Sequence, residues 1–210
     1  GQTQFGRWRD DWGNWFGNNN PKWLWHYHIP IRYLARNQHL PVPATRRNTF
    51  SSNRLFPISP RMKRPNMPHA YGRVTSANSA IPYRGGSLLK VDPSLARSVF
   101  ISEPVHNLVH REVLEPDGVS FRGRRAPGEE KREFLASTDN WFRPTQIKTG
   151  PDGGLYIADM YRLVIEHPEW IPAAMQSRID LRAGSNRGRI WRIVPQETPH
   201  RPHPQLASMN

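Results

Sequence analysis

Residues 150–159 read Gly150-Pro151-Asp152-Gly153-Gly154-Leu155-Tyr156-Ile157-Ala158-Asp159, a turn-forming run that feeds a short β-rich segment. A second segment, Val99-Phe100-Ile101-Ser102-Glu103, has the same order of residue types: apolar, aromatic, Ile, small, acid. It too follows a turn signal, Asp92-Pro93. Another strand-like run comes after each: Leu108-Val109-His110-Arg111-Glu112-Val113 after one, Arg189-Ile190-Trp191-Arg192-Ile193-Val194 after the other. Val109 then aligns with Ile190, His110 with Trp191, Arg111 with Arg192 and Val113 with Val194. Residues 119–121 and 133–136 add candidate strands, and Pro116-Asp117-Gly118 a tight turn. A strand unit that recurs, and that buries a face only by stacking on its neighbour, predicts an all-β chain forming a partial β-propeller of about three blades.

Outward from these repeats, the second copy carries about 25 extra residues, 161–185, in which 171–180 has helical character with Pro172 in the first turn. Such an insertion is expected to pack over the sheet edge. Residues 41–68 are rich in Pro, Arg and Asn, and their six prolines forbid a continuous helix or a central strand. They read as an extended surface loop or insertion. Residues 1–195 are thus the propeller part and 196–210 a tail or linker.

Composition narrows the chemistry. The chain has 210 residues and no cysteine, which excludes disulfides, Cys-ligated zinc, iron–sulfur clusters, a haem-attachment motif and a cysteine nucleophile. No apolar run approaches the ~18 residues of a transmembrane helix. The opening Gly1-Gln2-Thr3-Gln4 has no signal-peptide pattern and reads as the interior of a longer protein. The net charge is +13, and no acid occurs between Asp11 and Asp92. Basic residues beside Trp8, Trp12, Trp15, Trp23 and Trp25 raise the idea of nucleic-acid binding. The aromatics, however, sit among Gly and Asn as in turn-rich β structure, and no binding motif is present, so no nucleic acid is expected.

Several groups are candidates for a site. His106 and His110 fall on a strand reading, where i and i+4 share a face but lie about 13 Å apart, too far for one metal. One is expected to bond in the core and the other to be exposed. His106, near a strand end, is the better candidate proton acceptor. Glu103 and Asp159 end equivalent strands; repetition assigns them to capping turns or pairing with Arg. Asp139-Asn140-Trp141-Phe142-Arg143-Pro144 gathers a carboxylate, an amide, a ring and a guanidinium, a set suited to a polyanionic cofactor or a sugar. Arg162, Glu166, His167 and Trp170 open the insertion, with mutual ion pairing as the default. His26 and His28 share a strand face without a third ligand, so no metal is assigned.

The longer strings TQFGRWRDDWGNWFGNNN, RVTSANSAIPYRGG, VFISEPVHNLVHREVL, EFLASTDNWFRP and ADMYRLVIEHPEWIP resemble the membrane-bound dehydrogenase family of planctomycete-type bacteria, quinoprotein sugar dehydrogenase-like β-propellers. The likeness runs through most of 1–195 and is weakest over 41–68. It implies the C-terminal part of a propeller that oxidises a sugar or alcohol in a periplasmic or other extracytoplasmic setting. By the same resemblance, pyrroloquinoline quinone (PQQ) with Ca²⁺ would be the electron acceptor and a c-type haem domain would lie elsewhere in the parent protein. From their own chemistry, His106 and Asp139 are the residues assigned to catalysis, and Asn140, Trp141, Arg143 and Arg162 to cofactor binding. The chain is too short for a full ring, has no haem motif, and lacks the quinone-contacting Arg-Asn-Pro-Gln string, so the segment is expected to be inactive alone. The other reading is a non-catalytic propeller binding carbohydrate or a protein partner.

Overall fold

The computed structural model describes residues 6–39, 41, 44–50, 52–62, 68–196, 205 and 207. These residues form mostly β structure, three antiparallel sheets with two single-turn helices. The first sheet runs β1 (Gly6–Arg9), β2 (Trp15–Asn19), β3 (Lys22–Tyr27), β4 (Arg47–Asn48) in spatial order. The second runs β5 (Asn78–Pro82), β6 (Ser98–Glu103), β7 (Leu108–Asp117), β8 (Ser120–Arg124), with β9 (Leu135–Ala136) also paired to β7. The third runs β10 (Pro144–Thr149), β11 (Leu155–Asp159), β12 (Arg189–Ile193). The helices are α1 (Ile31–Leu34) and α2 (Ala173–Gln176). First strands neighbour one another: β5 packs against β1 on one side and β10 on the other.

The sequence repeat is a repeat of ladder positions. Ile101 stands opposite His110 and Ser102 opposite Val109; Ile157 stands opposite Trp191 and Ala158 opposite Ile190. The connections differ, residues 104–107 in one and 160–188 in the other. The turn before β11 closes through Gly150 N–H to the Gly154 carbonyl at 2.8 Å, with Gly153 at φ +80°, a conformation that suits glycine.

Burial explains why β6 reads as a continuous apolar run. Side chains alternate across a strand. Val99 and Ile101 join Phe16, Trp23 and Leu24 of the first sheet in one core. Phe100, on the opposite face, joins Tyr83, Leu155 and Ile157 in a second core toward the third sheet. A sheet covered on both faces needs apolar residues at both parities. By contrast β12 is an edge strand with Ile190 74% exposed.

Two expectations need correction, and a third, the short helix of the insertion, is met over a shorter span. Residues 41–68 are not wholly a surface loop: β4 completes the first sheet, and Leu55 is buried in its core. Residues 42, 43, 51 and 63–67 of that stretch, and most of 196–210, lie outside the described residues. Helix in the insertion is one turn, α2, following a 3-10 turn Pro168–Trp170; a segment with no buried residue and no capping side chain has little to propagate it. His106 and His110 do not share a strand, because Pro104–His106 is a 3-10 turn and Asn107 then adopts φ +58°. Both imidazoles are buried rather than one. Among the described residues no helix is long and apolar enough to cross a membrane.

Candidate functional site

The longer connection of the third sheet roofs a cavity. Its floor is the 104–107 turn, carrying Val105, His106 and Asn107; its side is Met62 and Tyr71; its roof is insertion residues such as Val164 and Met175. The volume is about 220 Å³. Apolar side chains make most of the wall.

Strand ends position the floor. Glu103, buried at the end of β6, accepts the Ser76 N–H at 2.9 Å and the Ser76 hydroxyl at 2.6 Å. Its Oε1 also meets His106 Nδ1 at 3.1 Å. The Gly72 N–H lies 3.2 Å from His106 Nε2. A backbone N–H can only donate, so Nε2 is the acceptor and Nδ1 carries the proton toward Glu103. Asp159, the equivalent acid of β11, does equivalent work: it accepts the N–H of Arg143 at 2.7 Å, that of Tyr161 at 2.8 Å, and Trp191 Nε1–H at 3.0 Å. Both acids therefore organise loops, as their repetition suggested, though neither does so by pairing with a neighbouring Arg.

Arg143 locks roof to floor. Its guanidinium donates to the carbonyls of Pro104 at 2.8 Å, Val105 at 3.4 Å, Arg162 at 2.9 Å and Leu163 at 2.8 Å. The side chain is buried, and one cation thus ties carbonyls of two separate segments together. The Asn107 amide adds bonds to the carbonyls of Asn140 at 3.0 Å and Phe142 at 2.7 Å.

Of the residues nominated from sequence, His106, Asn140, Arg143 and Glu166 meet at this cavity. Asp139, Trp141 and Arg162 do not line it. Asp139 Oδ1 accepts the Trp141 N–H at 2.9 Å and shapes the loop. Trp141 packs on Tyr161, ring centroids 5.5 Å apart. Arg162 reaches the Arg182 carbonyl at 3.4 Å. Met62, Tyr71 and the roof residues went unnoticed, although Ile171, Met175 and Ile179 recur at i, i+4 and i+8, the spacing of one apolar stripe.

The second imidazole lies in a separate, enclosed charge network. His110 Nδ1 is 2.8 Å from Glu133, and Nε2 is 2.9 Å from Glu112. Trp23 stacks on the ring at 4.2 Å. Burial alone pushes the imidazole pKa down, but hydrogen bonds and charge from the two carboxylates overcome it and hold it above 6.5. Burial pushes Glu133 up, and His110 with Arg125 overcome that to bring it below 4.5. His26 Nδ1 bonds Ser120 Oγ at 3.1 Å. Among the described residues no three His, Asp or Glu side chains converge to hold a metal ion.

No curated protein and no solved structure matches the chain. A family model described as a domain of unknown function, DUF7133, matches residues 1–197, and the chain belongs to that family.

Proposed function

We propose that the three sheets are consecutive blades of a β-propeller arc, and that the arc is a binding module. The repeated ladder positions and the adjacency of β1, β5 and β10 support the blade reading. The roofed cavity takes a small molecule with an apolar body and one hydrogen-bonding head that meets His106. One observation carries this reading: the Arg143 guanidinium is bonded to four backbone carbonyls, which leaves a mainly apolar wall.

A second reading, oxidation of an alcohol, draws support from the Glu103–His106 pair. A buried carboxylate fixing Nδ1–H presents Nε2 as a proton acceptor at the cavity. In that reading Nε2 would exchange the Gly72 N–H for a substrate hydroxyl and take its proton, and the hydride would go to an electron acceptor bound outside these residues. The residues here do not fit a polyanionic quinone. Such a group asks for cationic donors aimed into the cavity, and among the described residues the one Arg or Lys on its wall is turned to carbonyls.

The test is a titration of ¹³C-methyl-labelled protein with hexanol, p-cresol and glucose, watching Met62 and Met175. Saturable shifts with the first two and none with glucose support the binding module. Unmoved methyls sink it. Dye reduction on adding PQQ, Ca²⁺ and an aldose or alcohol, lost in His106→Gln, would replace it with the dehydrogenase reading.

A further inference from the structure

A second concavity, about 900 Å³ and open to solvent, lies between residues 52–58, 71–73 and 131–136. Arg54, Arg73, Lys131 and Arg132 line it, and all four are exposed. Among the described residues none of the four is ion-paired; Arg73 reaches only the neutral Asn53 amide oxygen, at 3.3 Å. The one acid on the wall, Glu133, is turned inward. Its oxygens take Arg125 at 2.8 Å, the Phe56 N–H at 3.0 Å and His110 at 2.8 Å. The concavity is therefore strongly positive.

The backbone forces part of this charge together. Arg54 and Arg73 stand opposite each other in an isolated antiparallel bridge. Flanking bonds, Leu55 N–H to the Gly72 carbonyl at 2.8 Å and Val74 N–H to the Asn53 carbonyl at 2.9 Å, hold that register. Like charges directly opposite in a β pair destabilise it, and a bound anion relieves the repulsion. The nearby aromatic faces are already covered: Arg54 and Arg125 lie over Phe56 at 5.2 and 4.9 Å, and Arg61 over Tyr71 at 5.1 Å. Among the described residues these rings already carry a guanidinium, which a stacking nucleic-acid base would have to displace or avoid. Ser52 and the Asn53 amide stand among the cations as partners for neutral hydroxyls.

We propose that this groove binds an acidic polysaccharide, its carboxylate or sulfate groups taken by Arg54, Arg73, Lys131 and Arg132 and its hydroxyls by Ser52 and Asn53. Guanidinium forks match both oxyanions. The four cations lie outside the roofed cavity, which shares only Tyr71 with this groove among the described lining residues.

The experiment compares the whole chain with two charge-matched variants, Arg54→Gln/Arg73→Gln/Lys131→Gln/Arg132→Gln and Arg32→Gln/Lys90→Gln/Arg97→Gln/Arg178→Gln. Binding to polygalacturonate, heparin and neutral dextran is measured for all three proteins at the same series of ionic strengths. Single-stranded DNA and poly-glutamate serve as competing polyanions. The groove variant is expected to lose at least tenfold in affinity for an acidic polysaccharide, with a shallower salt dependence, and the control variant less than threefold. The first two probes separate carboxylate from sulfate. Equal losses in both variants, tighter groove-dependent binding of DNA or poly-glutamate, or no binding overturns the proposal. Should the groove variant not fold, acetylation of Lys131 in the wild-type chain decides: polygalacturonate or heparin must protect it, and unchanged reactivity overturns the proposal.

Discussion

The Nδ1 of His110 on β7 lies 2.8 Å from Oε2 of Glu133, and both side chains are shut away from water. Glu112 engages the other ring nitrogen at 2.9 Å, so both nitrogens face carboxylates, which suits the imidazolium. Removing His110 would take from buried Glu112 its ion pair, while Glu133 would keep Arg125.

That network sets a pH window. A raised imidazole pKa contributes stability that is complete below the ordinary 6.5 and lost as pH rises through the folded value. The depressed Glu133 pKa contributes stability present above 4.5 and lost as pH falls through its folded value. Denaturation midpoints measured from pH 3 to 10 should therefore peak between about 4.5 and 6.5 for this network. His110→Gln should flatten the alkaline limb; an unchanged limb would remove His110 from the account.

The two cores make one strand position costly and its ladder partner's neighbour cheap. Ile157 is fully buried, while Ile190 is 74% exposed. Ile157→Ala should lower unfolding free energy by roughly 2–5 kcal/mol. Ile190→Ala should stay within about 0.5 kcal/mol. Urea titrations of the two variants check both.

Arg143 joins roof to floor, so its loss should loosen a segment as well as the whole. Arg143→Ala removes a buried cation bonded to four carbonyls and should cost on the order of 3 kcal/mol. Hydrogen exchange should quicken within 160–188 before the rest. Uniform acceleration would mean that the guanidinium is ordinary core support.

Gly153 serves the seam between the second and third sheets. Its carbonyl accepts hydroxyls of Tyr83 and Ser87, both at 2.5 Å. At φ +80° an added Cβ would stand 3.1 Å from the Ser87 nitrogen. Gly153→Ala should cost about 1–2 kcal/mol or more by calorimetry, from left-handed strain plus that contact. A neutral result would show that the turn can change conformation freely.

The strands were legible because their signals are local. Leu155–Asp159 matches β11, and the paired runs around Ile101 and Ile157 align in the ladder as they aligned in the sequence. Side-chain alternation and turn residues act over a few positions, so a reader of the chain can recover them. Repetition pointed Glu103 and Asp159 to a structural role, and left open whether they cap turns or pair with Arg.

The site was not legible in the same way. Arg143 stood out as a charged residue beside Trp141, suited to an anionic ligand, but its partners are carbonyls of residues 104, 105, 162 and 163. Backbone acceptors carry no mark in the sequence. His106 and His110 looked like one strand face until Asn107 turned left-handed and sent them to different neighbours. The sequence by itself determined that the chain would form short paired strands, since periodicity and turn chemistry are properties of adjacent residues. Tertiary structure alone decided which charges face the interior, a ligand cavity or solvent, because that depends on groups tens of residues apart meeting where water is excluded.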